Sequence, residues 1–515
     1  MTLVENSFLL QLWLTFWRYL CDAGRESAVG RFFTRLGAAI RRGFSESVIC
    51  EFIRRDGVIP RRFPESILCR LLTIIINIPL YFLRWVYRIG RGIWNGSIFC
   101  HILTGVGRRS FLLIGLLMLV MLVVPHDQWD NTYGLMGIIG VLVFFYLGAA
   151  ARPRYSLELR RVGPYIVFYM AFICCALICS VVTALSMRFF FFHLTGFLIV
   201  LLLVSAVRRY DQLQLVVALA VAGVFIASLY GCYQSFIGVD VVASQQDMSL
   251  NEGMPGRIYA FFDNPNNYAE LLVMLIPLDL ALLWNAKTWR GKLAALVAIL
   301  PCVAAIGFTY SRSGWIGLAL AVLIFIAFKN WKVLPLIVVL GLIAIPLLPE
   351  TIYNRILTIG NTEDTSTSYR FAIYKASGNL LKDYWLRGVG LGNDVMSEVF
   401  RRGYPKMFDN RYPIHTHNNY LQMWLETGIL GLVAYLAMIF YQIKSGIKSF
   451  CASADRRVKN LVAASVAGLI GILVISIAEY TWFYPRNMFV FFFLFGIIGA
   501  CVKLTSLEKK GVARA

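Results

Sequence analysis

The chain has 515 residues, of which 59% are apolar and only 15% charged, and its formal net charge is +21. Soluble domains carry nearer a quarter charged residues, so a water-soluble globular fold is excluded and an all-α polytopic membrane protein is expected. Anionic lipid at the inner leaflet accounts for the surplus of cations, and no nucleic-acid partner is implied.

Residues 1–108 stand apart. Their cations are all arginine, from Arg18 to Arg108, with seven acids interspersed. Apolar stretches at 8–19 and 67–86 are broken by arginine, which a free span avoids. Amphipathic helices lying on the cytoplasmic face are expected here. The competing reading makes 67–87 an extra span and puts the N-terminus outside. Glu5 stands where a cleavable signal would begin with a basic residue, so none is expected.

A membrane span needs about 20 mostly apolar residues. Twelve stretches qualify after residue 108, at 109–126, 132–150, 164–186, 189–207, 212–232, 268–286, 291–309, 313–329, 331–349, 420–442, 460–480 and 487–504. With the N-terminus inside, five short inner loops hold sixteen lysines and arginines, from Arg152 to Lys459. The short outer loops hold four, Arg188, Arg257, Arg312 and Arg486. The excess of cations on one side predicts that both termini, including the tail at 506–515, are cytoplasmic. The eleven cysteines include no CxxC, and Cys174, Cys175 and Cys179 read as helix-packing residues. Neither a disulfide framework nor a zinc site is expected.

Two outer segments are long, at about 234–267 and 350–419, and loops of that length are usually functional. The second is expected to hold short helices, since 368–382 is periodic through Phe371, Tyr374, Leu380 and Leu381. Four outer motifs stand out. Gly256-Arg257 runs into Phe261-Phe262-Asp263-Asn264-Pro265-Asn266-Asn267 before the sixth span. Tyr310-Ser311-Arg312-Ser313-Gly314 forms a turn so short that Arg312 must sit at the membrane boundary. Arg370 precedes the glycine-rich Gly388–Asn393, and His415-Thr416-His417-Asn418-Asn419-Tyr420-Leu421-Gln422 opens the tenth span.

Each arginine taken alone can be snorkelling to lipid phosphate. Together, Arg257, Arg312 and Arg370 suit a diphosphate, whose oxygens match the guanidinium fork. Gly388–Gly392 is a turn rather than a dinucleotide fingerprint, because no strand–helix unit surrounds it. His417 lies where an aqueous loop meets the membrane, and a histidine exchanges a proton near neutrality. Thr416 and Asn418 are the better helix caps, which leaves that imidazole free. From Asn418, Gln422 and Glu426 follow at i+4 and i+8, and such a polar stripe is expected to face a cavity. His415 and His417 have no evident third partner for a metal. No DxD occurs, so neither a metal-bound nucleotide-sugar donor nor any cofactor is called for.

In their order these motifs resemble the O-antigen ligase and O-antigen polymerase superfamily. The resemblance rests on Arg257 with its Phe-Asp-Asn-Pro-Asn-Asn continuation, on Tyr310-Ser311-Arg312-Ser313-Gly314, on Arg370 ahead of Gly388–Asn393, and on His417–Gln422 followed by Glu426-Thr427-Gly428. It covers about 110–505 in topology and 250–430 in motifs, and leaves 1–108 outside. It implies a ligase-like transmembrane domain at 109–505 of the bacterial cytoplasmic membrane. Its large outward loop, 350–419, would lie between spans nine and ten. It further implies inverting, metal-independent glycosyl transfer from a polyprenyl-diphosphate carrier to an acceptor hydroxyl of a glycan or glycolipid. His417 would be the base, with Arg312, Arg370 and Arg257 on the diphosphate. Glu426 would orient His417 or bind sugar, alongside Asn418, Gln422 and His415. A polymerase of the same superfamily differs in its acceptor. A transporter, or a peptidoglycan-type transferase using Asp263 or Asp364, are the alternatives outside it.

Overall fold

The computed structural model describes residues 47–241, 255–357, 365–407 and 409–511, with scattered positions from 11 to 46. Two units are present, Met1–Arg61 and Arg62–Ala515. The first contains a helix at Val48–Arg54, whose N-cap Ser47 accepts from the Cys50 amide. The second is a helical bundle, and no strand occurs among the described residues. This is an all-α polytopic membrane protein.

Helix α1, Ile67–Ile89, is long and apolar enough to cross a bilayer. Its Ile76 carbonyl accepts a hydrogen bond from Tyr146 Oη. The Asn77 amide exchanges hydrogen bonds with the Leu157 backbone at 2.9 and 3.3 Å. Arg84 donates to the carbonyls of Arg152, Pro153 and Tyr155. Seven residues separate Asn77 from Arg84, about 10 Å along a helix axis, yet both reach the single stretch 152–157.

Each of the twelve expected stretches has a helix at its place, and Ile98–Arg108 is an additional one before them. Helix α2, Ile98–Arg108, meets α3, Ser110–Val123, at an angle of 69°. Next come α4 (Thr132–Ala150), α5 (Pro164–Ile178), α6 (Thr183–Ala206), α7 (Tyr210–Ile237), α8 (Pro265–Asn285), α9 (Trp289–Phe308), α10 (Arg312–Asn330) and α11 (Leu334–Ala344). By length and composition ten stretches can span, α1 included, or eleven if α2 and α3 form one. The difference from twelve has physical causes. Helix α5 is only 15 residues long, ending at Ile178 where 186 was expected. Helices α10 and α11 form one apolar stretch Arg312–Leu347 of 36 residues, broken at Asn330, whose backbone is extended at φ −160° and ψ 92°. A straight rod of that length would measure about 54 Å. Instead, Thr351 Oγ1 hydrogen-bonds Tyr310 Oη at 3.2 Å, so the chain doubles back at the 3-10 turn Trp331–Val333.

Two helices lie in the next polar segment, α12 (Thr365–Tyr384) and α13 (Asn393–Gly403), followed by α14 (Asn419–Ala452), α15 (Arg456–Ile475) and α16 (Pro485–Lys509). The expected periodicity of 368–382 falls within α12. Leu380 is fully buried there, although Phe371 is 63% exposed. Helix α16 is the axis of the bundle, with Phe489, Phe491, Phe492, Phe493 and Phe495 all buried. Gly468 on α15 lets α8 approach closely, since a Cβ there would stand 2.8 Å from the Met274 carbonyl oxygen.

The glycine-rich stretch anchors the α12–α13 segment. Gly388, Gly390 and Gly392 are all left-handed, with φ of 72°, 116° and 92°. Gly428, at φ 71°, interrupts α14. Through these breaks Val389 N donates to Leu425 O (2.7 Å), Gly390 N to Glu426 O (3.2 Å) and Ile429 N to Trp385 O (2.9 Å). Val181 N closes on Val389 O at 2.9 Å. The early end of α5 thus makes room for this segment.

At the opposite end a polar chain ties four helices together. Lys329 donates to Asn460, Asn460 to Asn285, and Asn285 to Tyr210. Nearby, Glu158 receives Arg161, Arg208 and Lys503.

Candidate functional site

The histidine segment lies against the short connection between α15 and α16. His415 packs on Phe483, with ring centroids 4.6 Å apart, and its Nδ1 accepts from the His417 amide at 3.2 Å. Burial, and then the neighbouring His417, push the His415 imidazole down to about 3, so it is neutral. His417 takes a left-handed backbone, φ 48°, immediately before the N-cap Asn418, whose Oδ1 accepts from Leu421 N. The His417 Nδ1 stands 3.2 Å from Glu479 Oε2, and Glu479 Oε1 receives Arg370 Nη2 at 2.5 Å. Glu479 is only 7% exposed. Burial alone would raise its pKa, but Arg370, His417 and His415 outweigh that and hold it at about 2. One carboxylate therefore grips the imidazole and a guanidinium together. Tyr374, one turn beyond Arg370, donates to the His417 carbonyl at 3.3 Å.

A second group forms on the turn between α9 and α10. Arg257 is buried and donates Nε to Thr309 O at 2.7 Å and Nη2 to Asn266 Oδ1 at 2.5 Å. Burial first, then Arg355 and Arg312, lower its pKa to about 9, while Glu479 acts in the opposite direction. Arg312 opens α10, next to the N-cap Ser311, where the positive end of the helix dipole also favours an anion. Tyr310 between them is left-handed at φ 50°, as is Ala260 near Arg257. Three of the four described non-glycine residues with positive φ thus lie within three residues of Arg257, Arg312 or His417. Strain of this kind gathers at functional sites.

Arg370 and His417 therefore meet on Glu479, whose charge also reaches Arg257, and Arg312 in turn acts on Arg257. Glu426 is not part of that contact. Its Oε1 accepts from Gln422 Nε2 (2.8 Å) and Tyr480 Oη (3.1 Å), and it reaches the histidine segment indirectly, through Gln422 Oε1 to the Thr416 amide and through the Tyr480 ring to His415. Gln422 and Glu426 are both fully buried, so the stripe expected to face a cavity points into the bundle. Asn418 Nδ2 donates to Ile477 O. Asp263 accepts from Asn267, and Asp364 lies outside the described residues. Arg486, counted among the outer cations, is fully buried. It donates to the Met121 and Val124 carbonyls at the end of α3 and lies over the rings of Trp129, Phe262 and Tyr484.

Two residues of the site escaped the sequence reading, Glu479 and Arg355. Glu479 is an acid near the outer end of the expected stretch 460–480, and the rarity of acids in such places is the signal the chain offers. Arg355, 6% exposed, comes from a short helix Glu350–Leu357 and brings Nε to 3.5 Å from Tyr310 O.

Residues 294–436 match a family model described as O-antigen ligase. A protein of Rickettsia conorii named "Putative polysaccharide ligase" is 28% identical over 121 residues, 22% of this chain. That match spans 27% of the relative's length. The resemblance to the O-antigen ligase superfamily thus holds over 294–436, the stretch that carries Arg312, Arg355, Arg370, His417 and Glu426.

Proposed function

We propose that this protein transfers a glycan from a polyprenyl-diphosphate carrier to an acceptor hydroxyl at the outer face of the bacterial cytoplasmic membrane, with inversion and without a metal. The observation that carries this reading is the grip of Glu479 on both His417 and Arg370, beside Arg257 and Arg312. With the Nδ1 proton directed at Glu479, the Nε2 lone pair of His417 can take the acceptor proton. The acceptor oxygen then bonds to the anomeric carbon as the bond from that carbon to the diphosphate breaks. The leaving diphosphate carries away the electron pair, and arginines that meet the growing charge lower the barrier. Glu479 holds the imidazole in register and stabilises its protonated form. Both termini are cytoplasmic in this reading, and residues 1–108 lie along the inner leaflet.

The test is glycan transfer in membranes lacking other copies of the activity, with wild type and His417→Ala at matched expression. The variant is expected to lose about 10²–10⁴-fold in rate and to accumulate lipid-linked donor. Long chains left on the carrier mean ligation, and single repeats mean polymerisation. Full activity in His417→Ala would falsify the assignment of the base.

A further inference from the structure

Helix α12 turns one face away from the bundle. Ile373, Ser377 and Leu380 are buried on its inner side. The opposite side carries Phe371, Lys375, Asn379 and Lys382, whose steps of four, four and three residues align along a helix. Phe371, Lys375 and Lys382 are exposed and Asn379 is half-buried. An exposed helix face ordinarily mixes charges of both signs. This helix has one acid, Asp383, and it accepts a hydrogen bond from Tyr404 Oη.

The imbalance continues past the helix. From 365 to 411 the chain has eight lysines and arginines against four acids. Arg370, Arg401, Arg402 and Arg411 meet carboxylates. Lys375, Lys382, Arg387 and Lys406 are exposed, and none of them is paired with a carboxylate among the described residues. Lys382 donates to Asn379 Oδ1 at 3.2 Å, while Arg387 and Lys406 stand over the rings of Tyr384 and Tyr412. These contacts position the cations without neutralising them. In the proposed topology the segment lies outside the cell, and cations in a long outer loop do nothing to orient the chain. Their surplus is therefore available to an anion.

Position identifies that anion. Tyr374, beside Lys375, donates to the His417 carbonyl at 3.3 Å, and Arg370, one turn earlier, holds Glu479. The exposed face thus begins next to the proposed base, and Lys375 to Lys382 carries it about 10 Å along the axis. The bond from Tyr404 to Asp383 then ties in the segment that bears Lys406. An exposed ring meets the apolar C–H face of a sugar, an amide meets hydroxyls, and spaced cations meet carboxylate or phosphate groups.

We infer that the exposed face of α12 is a track for an acidic glycan, one whose sugars carry carboxylate or phosphate groups. This rests on the transfer reaction proposed above and names its substrate class, since a neutral chain gains nothing from the cations.

The probes are polygalacturonate and polyglycerol phosphate, with dextran as the neutral control, each titrated into the full-length protein in detergent at low ionic strength. Wild type is expected to bind an acidic probe and not dextran, and to bind it more weakly as salt rises. Lys375→Gln, Lys382→Gln and Arg387→Gln combined should weaken that binding by about tenfold or more and flatten its salt dependence. The melting temperature should not change, because these side chains are exposed. Lys375→Arg with Lys382→Arg keeps the charge and is expected to bind like wild type. In transfer assays the triple variant should raise KM for the glycan and leave kcat intact. Unchanged affinity in the triple variant, or dextran bound as tightly as the acidic probes, overturns the track. A face that binds dihexanoyl phosphatidylglycerol and neither polyanion also overturns it, and belongs to outer-leaflet headgroups instead. Glycan transfer by a wild type that binds no acidic probe overturns the track alone. Acidic-probe binding by a wild type that transfers no glycan overturns the reaction alone.

Discussion

Glu426 and Glu479 are both buried carboxylates within reach of the histidine segment, and what they touch separates them. Spacing along α14 made Glu426 the natural candidate, because i+8 from Asn418 lies on the same helical face. That face turns inward, and Glu426 ends on Gln422 and Tyr480. Glu479 is 62 residues beyond His417 and meets it only through the packing of α14 against α15 and the connection to α16. No local pattern announces such a pair, whereas the rarity of histidine and the arginine motifs were visible in the chain itself. Glu479→Gln is expected to slow transfer by about 10²–10⁴-fold, the range for losing general-base function. Glu426→Gln keeps an acceptor for Gln422 and Tyr480 and should stay within a few-fold of wild type. Transfer rates of the two variants at matched expression check this. The pH dependence adds a sign. A folded-state pKa of about 2 lies below the ordinary carboxylate value of about 4.3. Glu479 therefore contributes stability above that ordinary value and loses it as pH falls toward 2. Between roughly pH 5 and 8 it does not titrate, but its charge favours the protonated imidazole, so Glu479→Gln should move the acidic limb of the pH–rate profile to lower pH as well as lowering the rate. An acidic limb that keeps its position in Glu479→Gln would count against this carboxylate as the partner of His417.

At the scale of elements, the glycine-rich segment and the break in α14 form one joint. A turn was legible at Gly388–Gly392 because glycines cluster there, but its partner was not. Gly428 in Glu426-Thr427-Gly428 reads as part of a motif, while its left-handed backbone exists to let Leu386 and Ile429 pass. A Cβ on Gly428 would stand 1.9 Å from the Leu386 carbonyl oxygen. Backbone cannot yield as a flexible side chain can. Gly428→Ala combines a left-handed penalty of about 1–2 kcal/mol with overpacking of about 1–3 kcal/mol, so roughly 2–5 kcal/mol of destabilisation is expected. Thermal unfolding of the purified variant, followed by intrinsic fluorescence, measures it. Transfer should fall as well, because this joint seats α12 and with it Arg370 and Tyr374. A variant that melts like wild type would mean the joint is looser than its hydrogen bonds imply.

For the molecule as a whole, apolar length and cation bias carry most of what could be read in advance. Every expected stretch has a helix at its place, since burial in lipid demands apolar runs that sequence displays directly. What hydropathy cannot convey is whether adjoining apolar helices continue or turn back. The middle of the stretch Arg312–Leu347 has no polar interruption beyond Lys329, Asn330 and Lys332, and its reversal shows in the structure, where Thr351 and Arg355 both meet Tyr310. Helix α1 poses the converse question, because it qualifies as a span by composition yet Asn77 and Arg84, a full two turns apart, both reach residues 152–157. Alkaline phosphatase, which is active only outside the cytoplasm, resolves both when inserted in turn after Asn95, Lys332, Glu350 and Lys459. The proposed topology expects activity after Glu350 alone. Equal activity after Lys332 and Glu350 would mean that α10 and α11 do not form a crossing pair, which conflicts with the Tyr310 contact. For α1, a fluorescent protein at the N-terminus should fold and fluoresce inside the cell. If it stays dark while the insertion after Asn95 remains inactive, α1 crosses the bilayer. The N-terminal arginines would then face outward, against the charge bias that orients the rest of the chain.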